Sequence, residues 1–325
     1  MKKILFRCDS SSTIGLGHVK RCLVLAKRLK AQNKQLQIIF SSLDLKGNIN
    51  KEILKNGFMV YILKDNKTKS LNDLIKNLEV DFLIIDSYDI YEDFEKKIKT
   101  KNKNLKILSF DDTLNFHCSD FILNHGIQAD KKNYKKLVSK NCKIWCGSKY
   151  TLLRDEFFNK YKKKPEKKSI AIILGGNDVL NLSSKISKYL LKIDNKYKIS
   201  IITSNVNIHL EELKKNLNVK VLVDIDNIAE VLSSKEFVIS ASGGTLFEVL
   251  ALKKKFINIE VANNQKVVTD FLKQKNIKTT IKADELSLEK LKEKIEYIEK
   301  TDIYKKIDLK FSKDRLIKKI LKELE

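Results

Sequence analysis

The chain holds a single proline, Pro165, and only ten glycines in 325 residues, so turns that need a fixed or left-handed backbone are scarce and each carries information. Its five cysteines, Cys8, Cys22, Cys118, Cys142 and Cys146, are odd in number and scattered, with only CKIWC bringing two of them close. A disulfide framework is thereby excluded, and a zinc site lacks its second pair, so free buried thiols are expected. No apolar run approaches the roughly 20 residues of a membrane span. The opening MKKILFRCDSS has a three-residue apolar core before charge returns, too short for a secretory signal. A cytoplasmic chain without membrane insertion is expected.

Arginine is scarce too. Arg7, Arg21, Arg28, Arg154 and Arg315 are the five among 65 basic residues, in a chain of formal net charge +24. Such a field attracts polyanions. The lysines, however, spread over nearly every predicted solvent face, and the aromatic residues sit inside apolar runs rather than between basic residues as stacking platforms. Nucleic-acid binding is therefore not expected.

What the chain does have is a rhythm. Short apolar runs alternate with segments of helical period: KKILF then 18–31, LQIIF then 48–56, FMVYI then 70–78, DFLIID then 92–100, and LKILSF. That alternation predicts a parallel sheet covered on both faces. The lysine-rich NKYKKKPEKK, with the sole proline, reads as a linker. The rhythm restarts with SIAIIL, 181–192, KISIIT, 208–217, VKVLV, 227–234, EFVIS, 245–253, KKFINIE and 264–275. Two α/β domains, 1–160 and 161–325, are predicted. The charged tail after about residue 285 carries Leu and Ile at helical spacing and reads as a surface helix with one buried stripe.

Six of the ten glycines fall in three pairs: Gly15 and Gly17, Gly175 and Gly176, Gly243 and Gly244. Each pair follows an apolar strand and precedes a predicted helix. Glycine there lets a ligand approach the unpaired, partially positive N–H groups of a helix start, a setting suited to phosphate. A tight turn alone would also use glycine. Three such turns in a glycine-poor chain favour a phosphorylated ligand held at a cleft between two halves. None is a P-loop, since GxxxxGK[ST] is absent, and GLGHVK lacks the third glycine of the dinucleotide fingerprint.

His18 directly follows Gly17 at the positive end of a predicted helix, where an uncharged ring able to accept a proton is expected. Arg21 lies one turn later on the same face; Asp9 or a neighbouring carboxylate and a substrate phosphate are both candidate partners for it. Asp111 and Asp112 read first as turn or cap residues. Neither they nor the histidines form a metal cluster, so catalysis without metal or cofactor is expected.

Taken together, FRCDSSSTIGLGHVKRCLVLA, DSYDI at 86–90, SFDDT at 109–113, HCSDFILN at 117–124, YTLLRDEF at 150–157, LGGNDVLNL at 174–182, and SASGGTLFEVLAL with NNQ at 240–265 resemble one family: the UDP-sugar hydrolases of pseudaminic acid biosynthesis. These release 2,4-diacetamido-2,4,6-trideoxy-L-altrose from its UDP conjugate. The similarity runs in order from residue 1 to about 270. It implies two Rossmann-like parallel-sheet domains facing a cleft, as in GT-B glycosyltransferases, with the nucleotide held mainly by the second. It also implies a small UDP-sugar substrate, in a pathway that serves flagellin glycosylation; a monomer is expected, the sequence itself leaving the oligomeric state open.

The resemblance makes His18 the base that takes a proton from water attacking the anomeric carbon. It places Gly15, Gly17, Arg21, Tyr88, Asn264 and Gln265 against the substrate. Gly175, Gly176, Asn177, Ser242, Gly243, Gly244 and Thr245 would line the nucleotide pocket, and Glu248 would accept hydrogen bonds from both ribose hydroxyls. A GT-B glycosyltransferase using a UDP-N-acetyl amino sugar is the alternative; it would need an acceptor.

Overall fold

The structure, a computed structural model, describes every residue except 163, which lies inside the predicted linker. Two compact units form: Met1–Leu153 together with Lys310–Glu325, and Arg154–Leu309.

In the first unit, β1 (Lys3–Cys8), β2 (Gln37–Leu43), β3 (Met59–Leu63), β4 (Phe82–Asp86), β5 (Lys106–Phe110), β6 (Phe121–Asn124) and β7 (Lys143–Cys146) form one sheet in the order β3-β2-β1-β4-β5-β6-β7. Every pairing is parallel. Helices α1 (Gly17–Gln32), α2 (Asn50–Lys55), α3 (Thr68–Leu78) and α4 (Glu92–Lys101) cover it. The runs ILF and FLII can lie in the middle because both of their faces are buried. The chain starts at the centre, steps out to β3 and returns to β4 beside β1. The order thus reverses between β1 and β4, the place where open α/β sheets hold ligands, outside the carboxyl ends of the strands.

The second unit repeats the plan. Strands β8 (Glu166–Ile173), β9 (Lys198–Thr203), β10 (Val219–Val223), β11 (Lys235–Ala241), β12 (Lys255–Glu260) and β13 (Thr280–Lys282) run in the order β10-β9-β8-β11-β12-β13. Between and after them lie α5 (Leu182–Ile193), α6 (Leu210–Lys215), α7 (Ile228–Ser233), α8 (Gly244–Ala251), α9 (Lys266–Gln274) and α10 (Leu288–Lys300). The reversal here falls between β8 and β11.

Three features differ from the sequence reading. The units divide at 153/154, and Glu166–Lys168, read as linker, already belong to β8. The tail is two helices, and the second, α11 (Arg315–Leu324), returns to the first unit. Its stripe of Leu316, Ile317, Ile320 and Leu324 completes the core around α1, each buried side chain stabilising by about 1.5–3 kcal/mol. Arg28 of α1 fastens it by donating to the carbonyls of Lys313 and Leu153. Finally, Cys8 and Cys22 are buried, whereas Cys118, Cys142 and Cys146 are partly exposed; all five are free thiols. Among the described residues no helix is long and apolar enough to cross a membrane.

Candidate active site

The polar run after β1 folds on its own side chains. Ser11 Oγ accepts from the N–H groups of Thr13 at 3.1 Å and Ile14 at 3.0 Å, and Ser11 and Gly15 pair backbone to backbone. Ser10 Oγ accepts from the Ile49 N–H at 3.0 Å, while Asp9 accepts from Leu43 at 2.7 Å and pairs with the buried Arg7 at 2.7 Å. The serines are thus scaffold, and they deliver His18 as the second residue of α1. The N-cap of that helix, Leu16, makes no side-chain capping bond, and its first turn has no acidic residue, so its leading N–H groups are left to another partner.

Across the reversal stands Asp86, the buried last residue of β4. One oxygen lies 2.5 Å from His18 Nδ1; Arg21 reaches both, Nε to Oδ2 and Nη2 to Oδ1, each at 2.5 Å. Burial opposes the charge on Asp86, but Arg21 and then His18 outweigh it and hold the carboxyl well below the usual carboxylate range. An ionised carboxylate only accepts, so Nδ1 is the donor, and the 3.2 Å approach of Arg21 Nη2 to Nδ1 is a by-product of both groups meeting Asp86. In the uncharged ring this tautomer leaves the lone pair on Nε2.

Arg21 is the hub. Nη1 donates to His125 Nε2 at 2.9 Å and lies 3.3 Å from Asp112 Oδ2, and the guanidinium sits 5.1 Å from the Phe110 ring centroid. Burial, then Arg21, pushes His125 down to about 3. It stays uncharged, with Nε2 as acceptor. Tyr88 packs its ring edge-on to His18 at 4.7 Å, and its hydroxyl donates to Asp112 at 3.3 Å. Burial, then Asp112, pushes that hydroxyl up to about 12, so it remains a donor.

The partner of Arg21 is therefore Asp86, with Asp112 behind it, while Asp9 belongs to Arg7. Asp111 does cap a turn, accepting from Thr113 and Asn115, but Asp112 sits in the site. Asp86, Asp112 and His125 were not singled out from sequence as site residues. The available signal for Asp86 was a carboxylate closing the apolar strand FLIID, at the end where such folds bind ligands. Behind the site a second pair is fully internal: His117 Nδ1 meets Glu95 at 2.7 Å, with Nε2 3.7 Å from Asp111.

In the second unit the glycine turns close β8 and β11, the strands flanking its reversal. Gly175 has φ +92°, and a Cβ at Gly176 would stand 2.8 Å from Ser204 Oγ, so this pair is required by the turn itself. The helix start beyond it is not free: Asp178 accepts from the N–H groups of Leu182 at 3.0 Å and Ser183 at 2.8 Å. That corrects the expectation of an open helix end there. Asn177 Oδ1 is buried with no hydrogen-bond partner. At the other turn, a Cβ at Gly244 would meet nothing within 4 Å, and one at Gly243 only Gln265 Nε2 at 3.7 Å. No side chain caps α8, so its start is open. Ser242 is fully buried, its Oγ accepting from Asn258 at 2.8 Å, and it supports the turn from beneath. Thr245 is half-buried. Gln265 accepts from the Val261 N–H at 3.0 Å, and Asn264 is exposed. Both carboxylate oxygens of Glu248 face Arg154, which donates from Nε at 3.0 Å and Nη2 at 3.1 Å.

Comparisons with known proteins agree with this layout. Residues 144–320 match the glycosyltransferase family 28 C-terminal domain. MurG of Acinetobacter baumannii superimposes with a TM-score of 0.69 at 13% identity, covering 99% of this chain and 100% of that one. The fold is that of the GT-B glycosyltransferases. The UDP-2,4-diacetamido-2,4,6-trideoxy-beta-L-altropyranose hydrolase of Campylobacter jejuni is 37% identical over 285 residues, 86% of this chain and 99% of that protein. A Helicobacter pylori protein named as both pseudaminic acid cytidylyltransferase and the same hydrolase is 26% identical over 85% of this chain and 48% of its own length. The chain belongs to the family of these UDP-sugar hydrolases.

Proposed function

We propose that the protein hydrolyses UDP-2,4-diacetamido-2,4,6-trideoxy-β-L-altropyranose at the anomeric carbon, releasing UDP and the free sugar for pseudaminic acid synthesis. The observation that carries this reading is the His18–Asp86 pair at the first unit's reversal, with the family's substrate supplying the reacting bond.

Water attacks C1 while its proton passes to Nε2 of His18. The C1–O bond breaks with its electron pair going to the β-phosphate oxygen of UDP, and the configuration at C1 inverts. Asp86 stabilises the imidazolium that forms, as a carboxylate behind a histidine base does elsewhere. Arg21 is a positioning residue here, since its fork is already spent on Asp86. Gly15, Gly17 and Tyr88 are the first unit's candidate sugar contacts; Asn264 and Gln265 are the second unit's.

The open start of α8, with the N–H groups of Gly244 and Thr245, receives the diphosphate and meets the charge that grows on the leaving group. Gly175, Gly176 and Asn177 flank the nucleotide. Glu248 accepts from the ribose. Backbone donors make a metal ion unnecessary for that charge.

Turnover in 18O-labelled water tests the chemistry. Label is expected in the sugar; label in UDP means attack at phosphorus and overturns the mechanism. Turnover without any added acceptor separates hydrolysis from the glycosyltransferase alternative, which the relatives' names support less.

A further inference from the structure

The ion pair between Arg154 and Glu248 has no role in the reading above, and it is unusual for the chain. Arginine is rare here, and this one is held on three sides. Its Nε and Nη2 meet both oxygens of Glu248, its Nη1 lies 3.3 Å from Glu156, and its guanidinium stands 5.1 Å from the ring of the buried Phe157. All of these groups lie on the short helical turn Asp155–Phe158, on the residue before it and on α8, within the second unit. A carboxylate offers about four acceptor sites, and a side-on arginine fork uses one on each oxygen. One lone pair per oxygen remains, and the two point outward in opposite directions, so either oxygen can accept from a hydroxyl on its own side.

We propose that Arg154 is a positioning residue for the nucleotide's ribose: it fixes the Glu248 carboxylate so that an outward-facing lone pair of one oxygen meets a ribose hydroxyl. This rests on the reading of Glu248 as ribose acceptor. Arg154 itself touches no substrate. Lysine, a point charge on a flexible stem, cannot reproduce the fork. The guanidinium also guards the carboxylate's charge. Burial pushes Glu248 up from its ordinary value, and Arg154 opposes that push. A protonated Glu248 would lose an acceptor.

Binding of UDP and of 2′,3′-dideoxy-UDP, measured by calorimetry on the full chain, tests the proposal. The wild type is expected to prefer UDP roughly tenfold or more, the scale of one hydrogen bond to a charged acceptor. That preference should hold from pH 8 to pH 6. E248Q should reduce it to within about threefold. R154K and R154Q should reduce it similarly, with KM for the UDP-sugar raised about tenfold and kcat little changed. In R154Q the UDP affinity should also fall as pH drops from 8 to 6, because the carboxyl, without its cation, protonates at higher pH. If E248Q keeps the preference, the ribose reading fails and the proposal with it. If E248Q loses it while R154K and R154Q keep it, only the role of Arg154 is overturned. Equal weakening of both ligands in the Arg154 variants marks a merely structural residue and also overturns it. Melting curves establish that the variants fold, and a wild-type preference that collapses by pH 6 contradicts the proposal without any variant.

Discussion

At the reversal between β1 and β4 the first unit presents side chains; at the reversal between β8 and β11 the second presents backbone. The strand orders are alike, so the sheet decides where each site lies but not what it does. In the first unit Asp86, His18, Arg21, His125, Asp112 and Tyr88 form one connected network. Proton transfer needs that, since a base works only in the right tautomer and orientation. In the second unit the space before Gly244 is empty and α8 starts uncapped. Phosphate binding needs no more than that, since helix N–H groups carry the partial charge. The comparison teaches that the same crossover can be filled with paired ions or left bare.

Substitutions should separate the two sites. The largest effect is expected for H18Q, which should lower kcat by about 10²–10⁴-fold while UDP binding, measured by calorimetry, stays within about threefold. If both fall together, the division of labour is wrong. D86N should follow, with kcat down roughly hundredfold because an amide can donate to Nδ1 and reverse the tautomer. It should also cost about 3 kcal/mol by leaving Arg21 under-compensated. The sign of its pH dependence is fixed. The Asp86 carboxyl is depressed in the fold, so its contribution is present above the ordinary carboxylate range and lost as pH falls below about 4. The stability gap between wild type and D86N should close there, as read by urea titration.

In the second unit G244V should raise KM about tenfold, by blocking anion approach to the helix start, with kcat and melting temperature nearly unchanged. G176V should lower the melting temperature as well as raise KM, since its Cβ meets Ser204 beneath the nucleotide turn. A smaller effect belongs to His117. Burial opposes its charge but Glu95 prevails, raising it from its ordinary value. That stability is full below about pH 6.5 and is lost as pH rises through the shifted value. The melting-temperature gap between wild type and H117Q should therefore narrow from pH 6 to pH 9. The smallest expected effect is that of EDTA, which should leave kcat unchanged if backbone donors alone meet the leaving charge.

Much of this plan was legible in the sequence because an alternating hydrophobic pattern is a local signal. KKILF, LQIIF, DFLIID, SIAIIL and EFVIS became strands, and the periodic segments between them became helices. Strands β6 and β7 escaped that reading: they have four residues each and are joined without an α-helix. The return of α11 to the first unit also escaped, because an amphipathic stripe says that a helix must be covered but not by what. His18 was legible from its glycine turn. Asp86 and His125 lie 68 and 104 residues from the groups they meet, His18 and Arg21. No spacing rule reaches that far, and only the parallel pairing of β4 with β1 brings Asp86 to the histidine.

The central claim is that Asp86 holds the His18 ring with its proton on Nδ1 and its lone pair on Nε2. Long-range 1H–15N spectra of the 15N-histidine-labelled protein at neutral pH, assigned with H18Q, read that tautomer directly. The account predicts a protonated Nδ1 and a bare Nε2 for His18, lost in D86N; a wild-type ring with its proton on Nε2 would contradict it.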